Sequence, residues 1–371
     1  MISEVRNLGE LVNIKTGRLD ANAMEKDGKF PFFTCAREIF RINNYAFDTK
    51  AILLAGNNAS GDFNVKYYDG KFNAYQRTYV ITINDENQFN YSYLKHKLEG
   101  HLKVFKNQAL GANTRFLKIG MIKDLQIPLP SLDQQKKIAA ILDAADAYRQ
   151  KTKALIEEYD ELTQSLFLDM FGDMINNQKD WNYIPFGKVF NALRYGTSSP
   201  PVYSKEGIPF IRATNVKEGG IVLKGMAYIS QEEASKIQKC KLKESDLIIV
   251  RSGANTGDCS RIPRQFHGAY GGFDIIIEID EPYSTYYNFL INTKSAKALI
   301  EPLTRRAGQP HLNSKQITEL EVFDIPLNLQ NLFAERVQAI EAQKAQAQAS
   351  LAQAEDLFNS LLQRAFKGEL S

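Results

Sequence analysis

The chain has 371 residues, 44% hydrophobic and 24% charged, with a formal net charge of +3. That is the length of two to three ordinary domains and the make-up of a folded protein, not of a disordered or fibrous one. No run of about 18 apolar residues is present, which excludes a membrane-spanning helix; residues 1–8 lack the apolar core of a signal peptide; and Cys35, Cys240 and Cys259 form no close pair, so disulfide staples and a thiolate zinc site are not expected and a reducing cytoplasm is.

In chain order, residues 1–131 form a first block with net charge +5. Short β-rich apolar runs at 51–55 and 79–83, bounded by Gly, Asn and Asp, predict strands, and 91–105 predicts a helix. Residues 132–178 carry net −4. There a three-four spacing of Ile138, Ile141, Ala145, Tyr148, Thr152, Leu155, Tyr159, Leu162 and Leu166 predicts a long helix with a coiled-coil seam. Residues 179–327 return to net +3, with strands expected at 247–250 and 275–279 and a helix at 285–303. Residues 328–371, net −1, hold a second seam: Val337, Ile340, Lys344, Ala347, Leu351, Ala354, Phe358, Leu361 and Ala365. Its middle is Ala/Gln-rich, and alanine is the strongest helix former. Each long helix follows an extended proline-bearing lead-in, Ile127-Pro128-Leu129 and Ile325-Pro326-Leu327. Neither helix buries its seam alone, so the two are expected to pack together. The fold class is α+β: two mixed globular blocks, 1–131 and 179–327, separated by two long antiparallel helices, 132–178 and 328–371.

The blocks are copies. Leu8-Gly9-Glu10-Leu11-Val12-Asn13 recurs as Phe186-Gly187-Lys188-Val189-Phe190-Asn191, and Phe30-Pro31-Phe32-Phe33 as Ile208-Pro209-Phe210-Ile211, both 178 residues on. Residues 51–55 followed by Gly61-Asp62 match 247–251 followed by Gly257-Asp258, 196 residues on, which puts an insertion inside the second block. Residues 162–166 with Phe171 match 357–361 with Phe366.

Catalytic motifs are not found. The Gly-Lys pairs at 28, 70 and 187 precede Phe, Phe and Val, so no phosphate-cradling Gly-x4-Gly-Lys-Ser/Thr loop exists. Ser199-Pro200-Pro201-Val202 puts valine where a base-holding turn of an amino-methyltransferase needs a ring. Asp-x-Lys triplets at 27, 48 and 69 lack the upstream acid of a metal nuclease, and His96, His101, His267 and His311 stand at no ligand spacing. No Gly-x-Ser-x-Gly elbow is present.

Recognition chemistry is found. Asn57, Asn58 and Ser60 follow one strand, and Arg251, Asn255 and Thr256 the corresponding one. Tyr75, Gln76, Arg77, Arg212 and Arg261 add aromatic and basic groups, and two later loops bring Asn113 with Arg115 and Gln309 with His311 and Asn313. Asn, Gln, Arg, Ser and Thr can discriminate base edges, while glycines let backbone approach phosphate. Polar glycine loops are also ordinary turns; their duplication in two basic blocks favours a polyanion partner.

With the lead-in Ile127-Pro128-Leu129-Pro130-Ser131-Leu132-Asp133-Gln134-Gln135-Lys136-Lys137-Ile138-Ala139, its weaker partner Ile325-Pro326-Leu327-Asn328-Leu329-Gln330, residues 166–173, 308–313 and Pro209-Phe210-Ile211-Arg212, the whole chain resembles the specificity subunit of a type I DNA restriction–modification system. The resemblance implies two target-recognition domains, two long helices packed antiparallel, and no catalysis in the chain itself. It implies double-stranded DNA as partner, two docked methyltransferase subunits and a motor-nuclease subunit as a further one, with S-adenosylmethionine, ATP and magnesium on those partners and no cofactor here. Two dissimilar blocks would read two dissimilar half-sites, with the helices as a ruler for the spacer between them; Tyr148, Glu157 and Glu158 are candidate dock points. Two other classes stay open: an enzyme whose motif escapes notice, and a coiled-coil scaffold that binds only protein.

Overall fold

The structure, a computed structural model, describes residues 4–111, 113–217, 219–304 and 310–370. It divides into two units, residues 1–155 with 347–371, and residues 156–346, so each long helix contributes one half to each unit.

In the first unit, β1 (Glu4–Asn7) leads into the turn of helix α1 (Leu8–Leu11) and then β2 (Val12–Thr16), β3 (Phe30–Phe33), β4 (Phe40–Ile42), β5 (Phe47–Ala55), β6 (Asn57–Asn58), β7 (Val65–Ala74) and β8 (Thr78–Ile83). Helix α2 (Tyr91–Gln108), β9 (Arg115–Phe116), α3 (Ile119–Lys123) and β10 (Gln126–Leu129) precede the 40-residue α4 (Leu132–Phe171). One six-stranded sheet runs β2-β8-β5-β7-β3-β4, with only the β3–β7 pair parallel. The apolar run 51–55 is continuous because both faces of β5 are covered: Ile52 and Leu54 pack towards Leu94 and Leu98 of α2, and Ala51 and Leu53 towards Phe33, Phe72 and Val80.

The second unit repeats this frame. It comprises β11 (Tyr183–Pro185), β12 (Ala192–Tyr195), β13 (Tyr203–Ser204), β14 (Ile208–Ile211), β15 (Val216–Lys217), β16 (Gly220–Ile221), β17 (Ala227–Ile229), α5 (Gln231–Lys236) and β18 (Leu247–Ile249). Then follow β19 (Cys259–Arg261), β20 (Tyr270–Gly271), β21 (Ile275–Glu278), α6 (Tyr283–Asn292), α7 (Lys294–Thr304), α8 (Ser314–Thr318), β22 (Glu321–Phe323) and α9 (Leu327–Lys367). The order β12-β21-β18-β19 reproduces β2-β8-β5-β7, and the parallel contact of Phe32 with Asn73 recurs as Phe210 with Tyr270. The counterpart of β7 is broken into β19 and β20, so the single sheet of the first unit becomes two four-stranded sheets. The extra residues of the second block fall between β14 and β18, where β17 pairs with β14 as β4 does with β3 and β15, β16 and α5 are added. The sheet faces correct one detail of the repeat: Ile52 and Leu54 lie in the core that includes α2, as Leu247 and Ile249 lie in the core that includes α6, so β5 maps onto β18 at an offset of 195, one residue from the match read by composition. The helix expected at 285–303 is two helices, parted where Thr293 turns its hydroxyl back to the Leu290 carbonyl.

The strand before each block's first helical turn closes on the strand before each long helix. Arg6 opposes Ile127 and Ile184 opposes Val322, and the Leu8 and Phe186 amides donate to the Leu125 and Leu320 carbonyls at 2.8 Å each. The long-helix starts are also copies: buried Gln135 and Gln330 donate through Nε2 to the carbonyls five residues back, Pro130 and Ile325.

Within each unit the two helix halves run antiparallel. Arg149 lies over the Phe358 ring and Lys153 pairs with Glu355 in the first; Asp160 pairs with Lys344 and Arg336 reaches Met170 in the second. Every seam position expected on α9 is buried or half-buried. On α4 half of the expected seam is displaced by one residue. Ile138, Ala145, Thr152, Tyr159 and Leu166 face inward, but their partners are Leu142, Arg149, Ile156, Thr163 and Met170, while Ile141, Tyr148, Leu155 and Leu162 are exposed.

His96 ties α2 to α4. It is fully buried, its Nδ1 lies 3.0 Å from Glu99 and its Nε2 2.7 Å from Asp143, and its ring stands on Phe358. His96→Leu keeps the volume and strips both carboxylates of this partner; a loss of about 1–3 kcal/mol is expected, read from the urea midpoint.

Candidate nucleic-acid interface

In both units the polar loop leaves the sheet from the same place. The Leu117 amide donates to the Gly56 carbonyl at 2.8 Å, and the Leu312 amide to the Arg251 carbonyl at 2.9 Å. Next to these, Asn57 opposes Phe116 and Ser252 opposes His311. The Gly17 amide donates to the Thr78 carbonyl, and the Gly196 amide to that of Asp274. One backbone frame therefore carries Gly56, Asn57, Thr78 and Phe116 in the first unit and Arg251, Ser252, Asp274 and His311 in the second. Both glycines are required, because a Cβ on Gly17 or Gly196 would lie within 2 Å of the carbonyl oxygen of Ala74 or Gly272.

In the first unit the frame gathers most of the expected residues. Asn58 sits opposite Arg115, and its Oδ1 accepts from the Ser60 amide and hydroxyl at 2.9 Å and from the Asp62 amide at 3.1 Å. Tyr75, Gln76 and Arg77 form the tight turn between β7 and β8; the Arg77 carbonyl accepts from the Gly56 amide at 2.9 Å, which sets this turn beside Asn57. Gln76 and Arg77 are exposed, as is Asn113. Two basic residues not singled out from sequence join them. Arg37 pairs with Asp62 at 2.8 Å and holds that carboxyl below the usual carboxylate range. Lys66 donates to Asn64 Oδ1 at 2.6 Å, and burial lowers its ammonium.

In the second unit, Arg251 is clamped. Its guanidinium lies 4.4 Å from the Tyr195 ring centre and 4.3 Å from that of Phe273, and Nε donates to His311 Nε2 at 3.1 Å. Because Nε2 accepts, Nδ1 carries the proton and donates to Ser252 Oγ at 2.8 Å. Arg212 lies over Tyr203 and bonds the Gly225 carbonyl. A cleft of about 210 Å³ opens here, lined by Thr197, Tyr203, Arg212, Ser252, Phe273 and Asp274 among others.

The other expected residues are placed differently. Asn255 spends its amide on the Ala213 and Val216 carbonyls, and Thr256 caps its own turn through the Gly253 carbonyl. Asn313 is the N-cap of α8, accepting from the Gln316 amide at 3.0 Å. Arg261 opposes Leu247 at the far end of β18 from Arg251 and pairs with Glu281. Gln309 lies outside the described residues.

Asp274, Tyr195 and Phe273 were not singled out from sequence. Asp274 is 2% exposed; its Oδ1 accepts from the Arg251 amide at 3.1 Å, its Oδ2 has no partner, and burial pushes its carboxyl up to about 6. Its folded-state value lies above the ordinary 3.8, so the folded chain binds the extra proton and loses stability as pH rises through 4 to 6. Two pH units correspond to about 3 kcal/mol at most. Asp274→Asn is therefore expected to raise the unfolding temperature of the chain at pH 8 and to leave it nearly unchanged at pH 4, in paired thermal melts.

Residues 3–158 and 178–355 match the family described as the type I restriction modification DNA specificity domain. The chain is 29% identical to the type I restriction enzyme EcoDI specificity subunit of Escherichia coli, covering 98% of this chain and 88% of that one. It is 26% identical to the EcoKI specificity subunit of Escherichia coli strain K12, over 70% of this chain and 61% of that one. A crystal structure of a type I restriction-modification S subunit from M. genitalium superposes with a TM-score of 0.62 at 16% identity, over 98% and 96% of the two chains, and so shares the fold.

Proposed function

The chain belongs to the type I restriction–modification DNA specificity family, and from that premise we propose that it reads one asymmetric DNA target as two dissimilar half-sites, one per unit, and leaves the chemistry to subunits that dock on it. The observation that carries this reading is the repeated frame with unlike side chains. Two loops held by the same backbone bonds present Asn57, Asn58 and Arg115 in one unit and Arg251, Ser252 and His311 in the other. Equal scaffolds with unequal hydrogen-bonding edges suit two different base sequences. Arg37, Arg77, Arg115 and Lys66 give the first loop cluster a cationic border that suits phosphate.

The partners in this reading are double-stranded DNA, two methyltransferase subunits and a restriction subunit. The methyl donor, ATP and magnesium are held by those partners, and the chain itself is not catalytic; the assembly works in the cytoplasm, where its DNA is. No helix among the described residues is long and apolar enough to cross a membrane. The stripe of Ile141, Tyr148, Leu155 and Leu162 along α4, 40% to 55% exposed, offers the docking subunits an apolar seat beside Glu157 and Glu158.

Mapping methylated adenines in DNA exposed to the complex co-expressed with its methyltransferase subunit tests the reading: one split, asymmetric motif is expected. Methylation or cleavage by the chain alone would favour an enzyme, and no salt-dependent duplex binding with partners present would favour a protein-only scaffold. Arg251→Lys keeps the charge but loses the planar stack between Tyr195 and Phe273. It is expected to weaken duplex binding roughly tenfold or more, through the half-site of the second unit only, as read by anisotropy against singly altered duplexes.

A further inference from the structure

Arg251 is held more tightly than the frame around it requires. The first unit carries Gly56 at the same place, with Thr16, Arg77 and Phe116 where the second has Tyr195, Phe273 and His311. The frame therefore closes without an arginine and without rings to hold one. In the second unit four groups fix this residue. Tyr195 and Phe273 lie against the guanidinium, His311 Nε2 occupies its Nε, and Asp274 Oδ1 accepts from the backbone amide at 3.1 Å. Tyr195 is itself pinned, its hydroxyl accepting from the Ser314 amide at 2.8 Å. Two nitrogens are left over. Among the described residues neither Nη1 nor Nη2 of Arg251 has a hydrogen-bond or ion-pair partner, and neither is buried. Phe273, one of the two rings, is 44% exposed, so the guanidinium is held at the surface.

A cation on a flexible stem suits any anion. A guanidinium fixed in plane and position, with Nε engaged and both terminal nitrogens free, offers two N–H donors in one set direction. The side-chain freedom that an arginine ordinarily loses on binding is already lost on folding, which favours a partner of matching geometry over one of matching charge alone.

Resting on the reading above, we propose that Arg251 is a specificity-determining residue that selects one guanine in the half-site read by the second unit, Nη1 and Nη2 donating to its O6 and N7. Guanine is the base that sets two acceptors side by side in the major groove. Adenine puts an amino group beside its one acceptor, thymine a methyl group, and cytosine shows an amino donor. A fixed pair of donors therefore meets two acceptors on guanine, while every other base leaves at least one charged donor unanswered. Glycine at the matching position of the first unit makes no such demand, so this one residue contributes to the difference between the half-sites.

The complex with its methyltransferase subunit is assayed by anisotropy on duplexes in which each guanine of the methylated motif, on either strand, is replaced one at a time by 7-deazaguanine. That analogue keeps its base pairing and lacks the N7 acceptor. At one position the wild-type complex is expected to lose about tenfold in affinity. In the Arg251→Gln complex the same analogue should cost nothing, and its methylated motif should relax at that base pair alone. Analogues in the other half-site should affect the two complexes equally. The wild-type series decides without any variant: if no 7-deazaguanine weakens binding, the inference is overturned. It is also overturned if the loss at every sensitive guanine persists in Arg251→Gln, or if Arg251→Gln weakens binding to all duplexes alike, which would assign the guanidinium to phosphate. If the wild-type complex marks no split motif at all, the underlying reading fails and this inference with it; a split motif whose guanines are indifferent to Arg251 removes the inference only.

Discussion

Phe171→Ala is expected to destabilise the second unit by about 3–5 kcal/mol. Phe171 is fully buried at the end of α4, with ring centres 5.1 Å from Phe167, 4.8 Å from Tyr286 and 5.3 Å from Phe333. Those three rings come from α4, α6 and α9, so one truncation removes the joint at which the recognition core meets both long helices of its unit. Helix neighbours cannot slide in to fill the space, because the Phe171 carbonyl is also held by the Trp181 indole N–H at 3.0 Å, which fixes the chain as it leaves the helix. Phe171→Leu keeps most of the volume and should cost no more than about 1.5 kcal/mol. Amide hydrogen exchange checks the location as well as the size: residues 283–292 should lose protection in Phe171→Ala, whereas 47–55 in the first unit should keep theirs. Equal loss in both would mean that the two cores do not unfold separately.

Legibility from sequence followed the density of the signal. On α9 the seam could be read position by position because from 338 to 356 the intervening residues are Gln, Glu, Asp, Ser and Ala, leaving one continuous choice of apolar face there. On α4 two neighbouring stripes are apolar. Ile141, Tyr148, Leu155 and Leu162 are more hydrophobic than Arg149, Thr152 and Thr163, yet the latter turn inward. Arg149 can do so because its stem covers apolar surface while its guanidinium lies over Phe358 and pairs with Asp146. Thr152 and Thr163 return their hydroxyls to the Tyr148 and Tyr159 carbonyls, at 2.9 and 3.0 Å. Hydrophobicity alone carries neither device. The recognition loops show the same limit: Asn255, Thr256 and Asn313 have base-reading chemistry, but tertiary structure uses it for local backbone bonds, which only coordinates reveal. Asp274 did leave a trace in the sequence, as a lone acid between Gly271-Gly272-Phe273 and the apolar run 275–277. An acid directly at the head of a buried strand invites the question of what neutralises it.

Adding one heptad to each long helix is expected to lengthen the unread spacer of the target by about three base pairs while both half-sites stay the same. Seven residues at 1.5 Å add about 10.5 Å, and duplex DNA rises 3.4 Å per base pair. The insertion points follow from the division of the chain, after Leu155 on α4 and before Ala347 on α9, where one unit's share of each helix ends. A heptad keeps the three-four register, so Ile138, Ala145 and Thr152 below the α4 insertion and Tyr159 and Leu166 above it still face their partners. The paired insertion also preserves Lys153 with Glu355 in the first unit and Asp160 with Lys344 in the second. An insertion in α4 alone would lengthen one helix by seven residues and not its mate, and should be recovered poorly folded or not at all. Methylated-adenine mapping of the doubly extended complex decides the matter. A lengthened spacer between unchanged half-sites means that the helices set the distance at which two readers act. An unchanged spacer means that distance is set by the docked subunits or the DNA, and altered half-sites mean that base reading extends into the helices themselves.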